Sequence, residues 1–184
     1  MQKIQRVSFL FRVLFQVLFI AIPIALIYFW INAPAPIPPA TVPYGVSLSF
    51  IPEGTEILAP LTTNIKLLGF VICLLPVGIG EIILYALIKL FRSYEKGEIF
   101  MIESVQWIKR IGWTLLIGQI LVNPIFEALI SYVLTMHNPP HHRYAFISFH
   151  AVNVGLMLMA ILTILISWIM ADACKLREEQ TLTI

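Results

Sequence analysis

Four long apolar runs constrain this chain more than any other feature. They are Val7–Ile31, Lys66–Phe91, Ile111–Met136 and Phe146–Cys174. Each reaches the roughly 20 residues that carry a helix across about 30 Å of hydrocarbon at about 1.5 Å per residue. A soluble core helix would be shorter and would show a polar stripe. Composition agrees with a membrane setting: 59% of residues are hydrophobic, 12% are charged and the mean hydropathy is +0.90, against about 25% charged in an ordinary soluble domain. The formal charge of +2 argues for no polyanionic partner, so no direct nucleic-acid binding is expected. The expected fold class is an all-α membrane protein, four transmembrane helices in an antiparallel bundle. The helices fall at about residues 7–31, 66–94, 103–136 and 146–176 of a single membrane domain, 1–184.

The first run has a basic start in Lys3 and Arg6, and Ala33 and Ala35 offer a small-x-small cleavage pattern. It is nevertheless longer than the apolar region of a signal peptide, and Pro36 follows the cut point, so it is read as a membrane helix. Lys and Arg placement gives the orientation. Lys3 and Arg6 precede the first helix, Lys89, Arg92, Lys96, Lys109 and Arg110 flank the middle connection, and Lys175 and Arg177 follow the fourth. The other two connections carry only Lys66 and Arg143. The positive-inside rule then places both termini and the stretch RSYEKGEIF (Arg92–Phe100) in the cytoplasm of a multi-pass protein. Cys73 and Cys174 fall at depths that differ by roughly 20–25 Å on helix rise, so two free thiols are expected.

The outer connection, residues 32–65, opens with NAPAPIPPATVP, whose proline density forbids helix and favours extended chain. VSLSF (Val46–Phe50) alternates like a strand and a turn follows at Pro52–Gly54, which fits a small β-hairpin. The second outer connection, HNPPHHR (His137–Arg143), is short and pairs helices three and four as neighbours. Pro23, Pro76 and Pro124 each fall inside a helix, where a kink is expected.

Ionisable groups in lipid are costly and draw functional attention. Helices two and three turn near Phe100, so residues whose numbers total about 200 share a depth. That sets Glu81 beside Gln119, with Gln16 and Arg12 of helix one near the same level. Arg12 also lies close enough to the cytoplasmic end to snorkel there. Helices three and four turn near Pro139, which levels Glu127 with His150 and Asn123 with Asn153. These eight residues are the intramembrane polar candidates. They read either as interhelical hydrogen bonds or as a water-lined, proton-handling path. His137, His141, His142 and His150 carry no metal-binding spacing. Nucleophile motifs, phosphate loops and dinucleotide fingerprints are absent. No catalytic residue, metal or cofactor is therefore expected.

At the cytoplasmic turn, residues 95–102, Gly97 suits the left-handed residue that ends a helix. A new helix begins near Ile102 or Glu103, with Glu103 in its first turn at the positive end and Trp107 and Trp113 at the interface. The segments LFRSYEKGEIF (Leu90–Phe100), VQWIKRIGW (Val105–Trp113) and KLREEQTLTI (Lys175–Ile184) resemble the DUF2975 family, small bacterial integral membrane proteins whose domain has no known function. Met101 stands where that family often has a capping threonine, which makes a blurred helix start the expectation. The resemblance implies the four-helix layout and a place in the bacterial inner membrane, and it adds no catalytic residues. It also implies a context beside a helix-turn-helix regulator.

The sequence thus reads as a non-enzymatic membrane sensor or regulatory partner of a cytosolic protein, a helix-turn-helix regulator on the family's context. Arg92, Glu95, Lys96, Glu98, Lys175, Arg177, Glu178 and Glu179 are its cytoplasmic contact candidates. Two rivals stay open: a small-solute or proton transport component using Glu81 and Glu127, and a structural membrane subunit. Self-association into a homo-oligomer fits any of the three.

Overall fold

The structure, a computed structural model, describes residues 2–32, 62–97, 101–143, 145 and 153–182. The expected outer hairpin, the rest of the proline-rich connection, Glu98 and His150 lie outside the described residues. Among the described residues every regular element is helical: α1 (Gln2–Asn32), α2 (Thr63–Glu95), α3 (Ile102–Ile117), a π turn (Gly118–Val122), α4 (Asn123–Thr135), a 3-10 turn (Pro140–His142) and α5 (Val154–Leu182). Four stretches are long and apolar enough to cross a membrane: Ile4–Asn32, Thr63–Glu95, Ile102–Thr135 and Val154–Arg177. Their surfaces are inverted relative to a soluble protein. Leu10, Ile20, Leu67, Val154 and Ile169 are exposed, whereas Ser8, Ser104, Ser131, Thr135 and Ser167 are buried. Apolar side chains facing outward are stable only against lipid, and small polar residues inside let helix backbones approach.

Helix ends follow local chemistry. Gly97 takes φ +83 and closes α2, with its N–H donating to the Tyr94 carbonyl at 3.1 Å. The start of α3 is sharp despite Met101, which supplies no side-chain cap. Its extended backbone instead presents its carbonyl to the N–H groups of both Ser104 (3.0 Å) and Val105 (3.3 Å). The π turn immediately precedes Pro124. Proline cannot donate to the carbonyl four residues back and its ring crowds that carbonyl, and the wider turn accommodates both effects. Pro23 and Pro76, in contrast, sit inside unbroken helices.

The fourth apolar run, expected from residue 146, forms its described helix from Val154. Asn153 determines that start. Its Oδ1 accepts from Leu156 N–H at 3.1 Å, and its carbonyl accepts from Met157 N–H at 3.0 Å, the geometry of a helix N-cap.

The chain divides into two compact units. One comprises Met1–Ala21, Gly78–Gln119 and Asn153–Ile184. In it Ala86 and Leu90 of α2 pack with Ile111 of α3, flanked by Leu87, Trp107 and Leu115. There α3 also approaches α5 closely: a Cβ on Gly112 would meet the Ala160 carbonyl at 3.2 Å. The other unit comprises Ile22–Val77 and Ile120–Val152. Its core joins Leu26 and Trp30 of α1, Ile65 and Cys73 of α2, and Ile130 and Leu134 of α4. Gly69 faces the Trp30 indole so closely that a Cβ there would lie 2.1 Å from Cη2. Both cysteines are free and buried.

Candidate functional site

The two sets of candidates meet at the N-terminal end of α1. Arg12 Nε donates to Glu95 Oε1 at 2.8 Å, across 83 positions of sequence. Both side chains are largely shielded, at 23% and 20% exposure. The guanidinium also lies 5.4 Å from the Phe9 ring centroid. Beside the pair, Phe91 of α2 stacks on Phe11 at 5.4 Å and contacts Phe15 at 5.5 Å and Tyr94 at 5.9 Å. Ring pairs of this kind add roughly 0.5–1.5 kcal/mol each beyond area burial. A shallow open groove lined by Gln5, Arg6, Phe9 and Glu95 lies at the same end.

Arg12 therefore serves Glu95 and not Glu81. Those two carboxylates are 14 residues apart on α2, roughly 21 Å along the axis. Both Glu81 carboxyl oxygens are enclosed and make no hydrogen bond among the described residues. Gln16 is exposed on α1.

Helices α2 and α3 are in a slightly different register from the expected one. Ser104 Oγ donates to Ser93 Oγ at 3.2 Å, and a Cβ on Gly118 would meet Ile79 Cγ2 at 2.8 Å. Both pairs of numbers total 197 rather than 200. Glu81 is thus level with Leu116, about one turn from Gln119. Gln119 Oε1 instead accepts from the backbone N–H of Asn153 at 3.2 Å, joining the π turn to the start of α5. Asn123 and Glu127 are half-buried on α4.

Of the charged candidates, Arg92, Lys96, Lys175, Arg177 and Glu179 are exposed. Lys175 approaches Asp172 at 3.8 Å, with both side chains over 70% exposed, a pairing that contributes little in water. The Glu178 side chain lies outside the described residues.

Sequence reasoning missed a buried polar ladder in the second unit. Ser131 Oγ donates to the Glu127 carbonyl at 2.6 Å, and Thr135 Oγ1 donates to the Ser131 carbonyl at 2.8 Å. Buried Asn138 then donates Nδ2 to the His142 carbonyl, while Arg143 Nε donates to the Asn138 carbonyl at 2.7 Å. The spacing 131, 135, 138 is a one-face helical repeat, a signal available in the sequence. The ladder ties the His137–Arg143 turn to α4. Among the described residues no three His, Cys, Asp or Glu side chains converge on a metal-sized site.

The Ser93–Ser104 contact, the Gly97 helix end and the start of α3 at Ile102 define the two flanks of the RSYEKGEIF turn, whose residues 98–100 lie outside the described residues. A family model described as "Protein of unknown function (DUF2975)" matches residues 51–184. The chain belongs to the DUF2975 family. No curated protein and no solved structure matches it. The match covers α2 through α5, and the unmatched part holds α1. Within this DUF2975 protein, Glu95 reaches outside the matched region to Arg12. The family's description assigns no activity to any residue, and the multi-pass membrane layout rests on the four long apolar helices.

Proposed function

We propose that this DUF2975 protein is a non-enzymatic membrane sensor or regulatory partner of a cytosolic protein. Its termini and the 95–102 turn face the cytoplasm of a bacterial cell. One observation carries the reading. Helix α5 continues beyond its apolar span, which closes at Arg177, as far as Leu182, and it presents Lys175, Arg177 and Glu179 to solvent. Crossing the bilayer does not require that extension. Arg92 and Lys96 are likewise exposed, whereas Glu95 is engaged by Arg12 inside the protein. A protein docking through complementary charge is the chemistry this surface fits, and a helix-turn-helix regulator is the partner that the family context favours.

A photo-crosslinking residue at Arg177 tests this in intact cells, with the same residue at the exposed, apolar Leu158 as control. The expected result is an adduct to one cytosolic protein from position 177 only, lost on charge reversal of Lys175 and Arg177. Absence of any adduct from 177, or an adduct to a second copy of this chain alone, overturns the reading.

Glu81 favours a second reading, proton handling, because its carboxyl oxygens are enclosed without a hydrogen-bond partner among the described residues. Proton flux in proteoliposomes, abolished by Glu81→Gln and retained after charge reversal of Lys175 and Arg177, would support it over the first. Flux equal to that of empty vesicles would eliminate it.

A further inference from the structure

Four side chains on α2 and α3 form one continuous row. Lys89 Nζ lies 5.4 Å from the Tyr85 ring centroid. The Tyr85 ring meets Trp107 edge to face, 5.9 Å between centroids at 77°. The Arg110 guanidinium lies 4.8 Å from the Trp107 centroid. Exposed Lys109 and Arg92 extend the positive charge around the row. Among the described residues no carboxylate pairs with any of these four cations, whereas Arg12 on the neighbouring helix has Glu95.

Depth matters as much as charge. The 33 residues of α2 span roughly 50 Å, about 20 Å more than the hydrocarbon. Lys89 lies six residues before the end of α2, and Arg110 eight residues after the start of α3. The α2–α3 register levels Lys89 with Ile108, so Arg110 is only about 3 Å deeper on the adjacent helix. With α2 centred on the hydrocarbon, about 10 Å projects at each end, and both cations fall near the boundary between acyl chains and headgroups. There the phosphates lie, and tyrosine and tryptophan are at home. Half-exposed Tyr85 and the Trp107 indole carry the apolar part of such a contact. Stacking on the rings also limits where each cation can go, so less freedom is lost when an anion binds.

We propose that Lys89 and Arg110, held at the two ends of this row by Tyr85 and Trp107, attract the headgroups of anionic phospholipids, so that this face of the protein carries annular lipid of defined headgroup charge. The proposal is independent of any cytosolic partner.

The test is native mass spectrometry of the full chain in detergent micelles, titrated with phosphatidylglycerol or with phosphatidylcholine. The wild type should hold phosphatidylglycerol in preference. Lys89→Gln with Arg110→Gln should weaken that adduct about tenfold to thirtyfold, as expected for loss of two interfacial cations, and leave phosphatidylcholine unchanged. Lys89→Arg with Arg110→Lys should preserve it because both charges are kept, and unchanged phosphatidylcholine binding by the Gln pair reports that the Gln pair still folds. Lys175→Gln with Arg177→Gln removes the same charge elsewhere and should change binding by less than about threefold, since the row itself is untouched. Equal loss from that control, no loss from the first pair, or displacement of the lipid by inorganic phosphate would overturn the proposal.

Discussion

The two compact units are held by different means. In one, α1 and α2 meet through Trp30 and Gly69, with the indole where any β-carbon would have to be. In the other, the same two helices meet through Arg12 and Glu95 and through the rings of Phe11, Phe15 and Phe91. The first contact depends on shape. Without a hydrophobic force between helices in lipid, close backbone approach supplies the attraction, and it tolerates no added atom. The second depends on paired chemistry. Its partners lie near the helix ends, where charge is less costly, and either can be exchanged for a group of similar reach. A shape contact should therefore fail abruptly on a small change, and a paired contact gradually.

Three sets of substitutions break or sharpen this contrast, in descending order of expected effect. Gly69→Ala places a methyl within 2.1–2.7 Å of three indole carbons. It should destabilise the protein by about 3 kcal/mol, as overpacking does, read from unfolding in mixed micelles. Adding Trp30→Phe should restore part of that loss; a neutral Gly69→Ala would show that the indole is free to move. Arg12→Gln and Glu95→Gln should each cost about 1–2 kcal/mol, as for a charge-assisted hydrogen bond, and the double change should cost little more than either single one. Strict additivity in that cycle would dissolve the pair. Asn153→Ala should cost about 1 kcal/mol through loss of the α5 cap, while Asn153→Asp should be near neutral. Hydrogen exchange at Leu156 reports this directly, and unchanged protection there would remove Asn153 from the cap.

Much of the layout was legible from the sequence. The four long helices, the glycine end of α2 and the α3 start near Ile102 all follow from hydropathy and local turn chemistry. The fourth run is expected from residue 146; residues 146–152 lie outside the described residues, and the described helix opens at the Asn153 cap. The polar partners were the least legible. The sequence levels Arg12 with Glu81 and lets it snorkel to the cytoplasmic interface; the structure pairs it with Glu95, one of the cytoplasmic contact candidates.

The reason is physical. Length and apolarity are local sums, so the sequence alone determined that this chain has four membrane-crossing helices and where its charge concentrates. Pairing depends on the rotation and register of one helix against another. These helices are apolar nearly all round, so their sequences carry little information about which face turns inward. Three residues of register decide whether Glu81 meets Gln119 or Leu116. Only the tertiary structure decided that Arg12 holds Glu95, that Gln119 and Asn153 join the π turn to α5, and that Lys89, Tyr85, Trp107 and Arg110 align as one row.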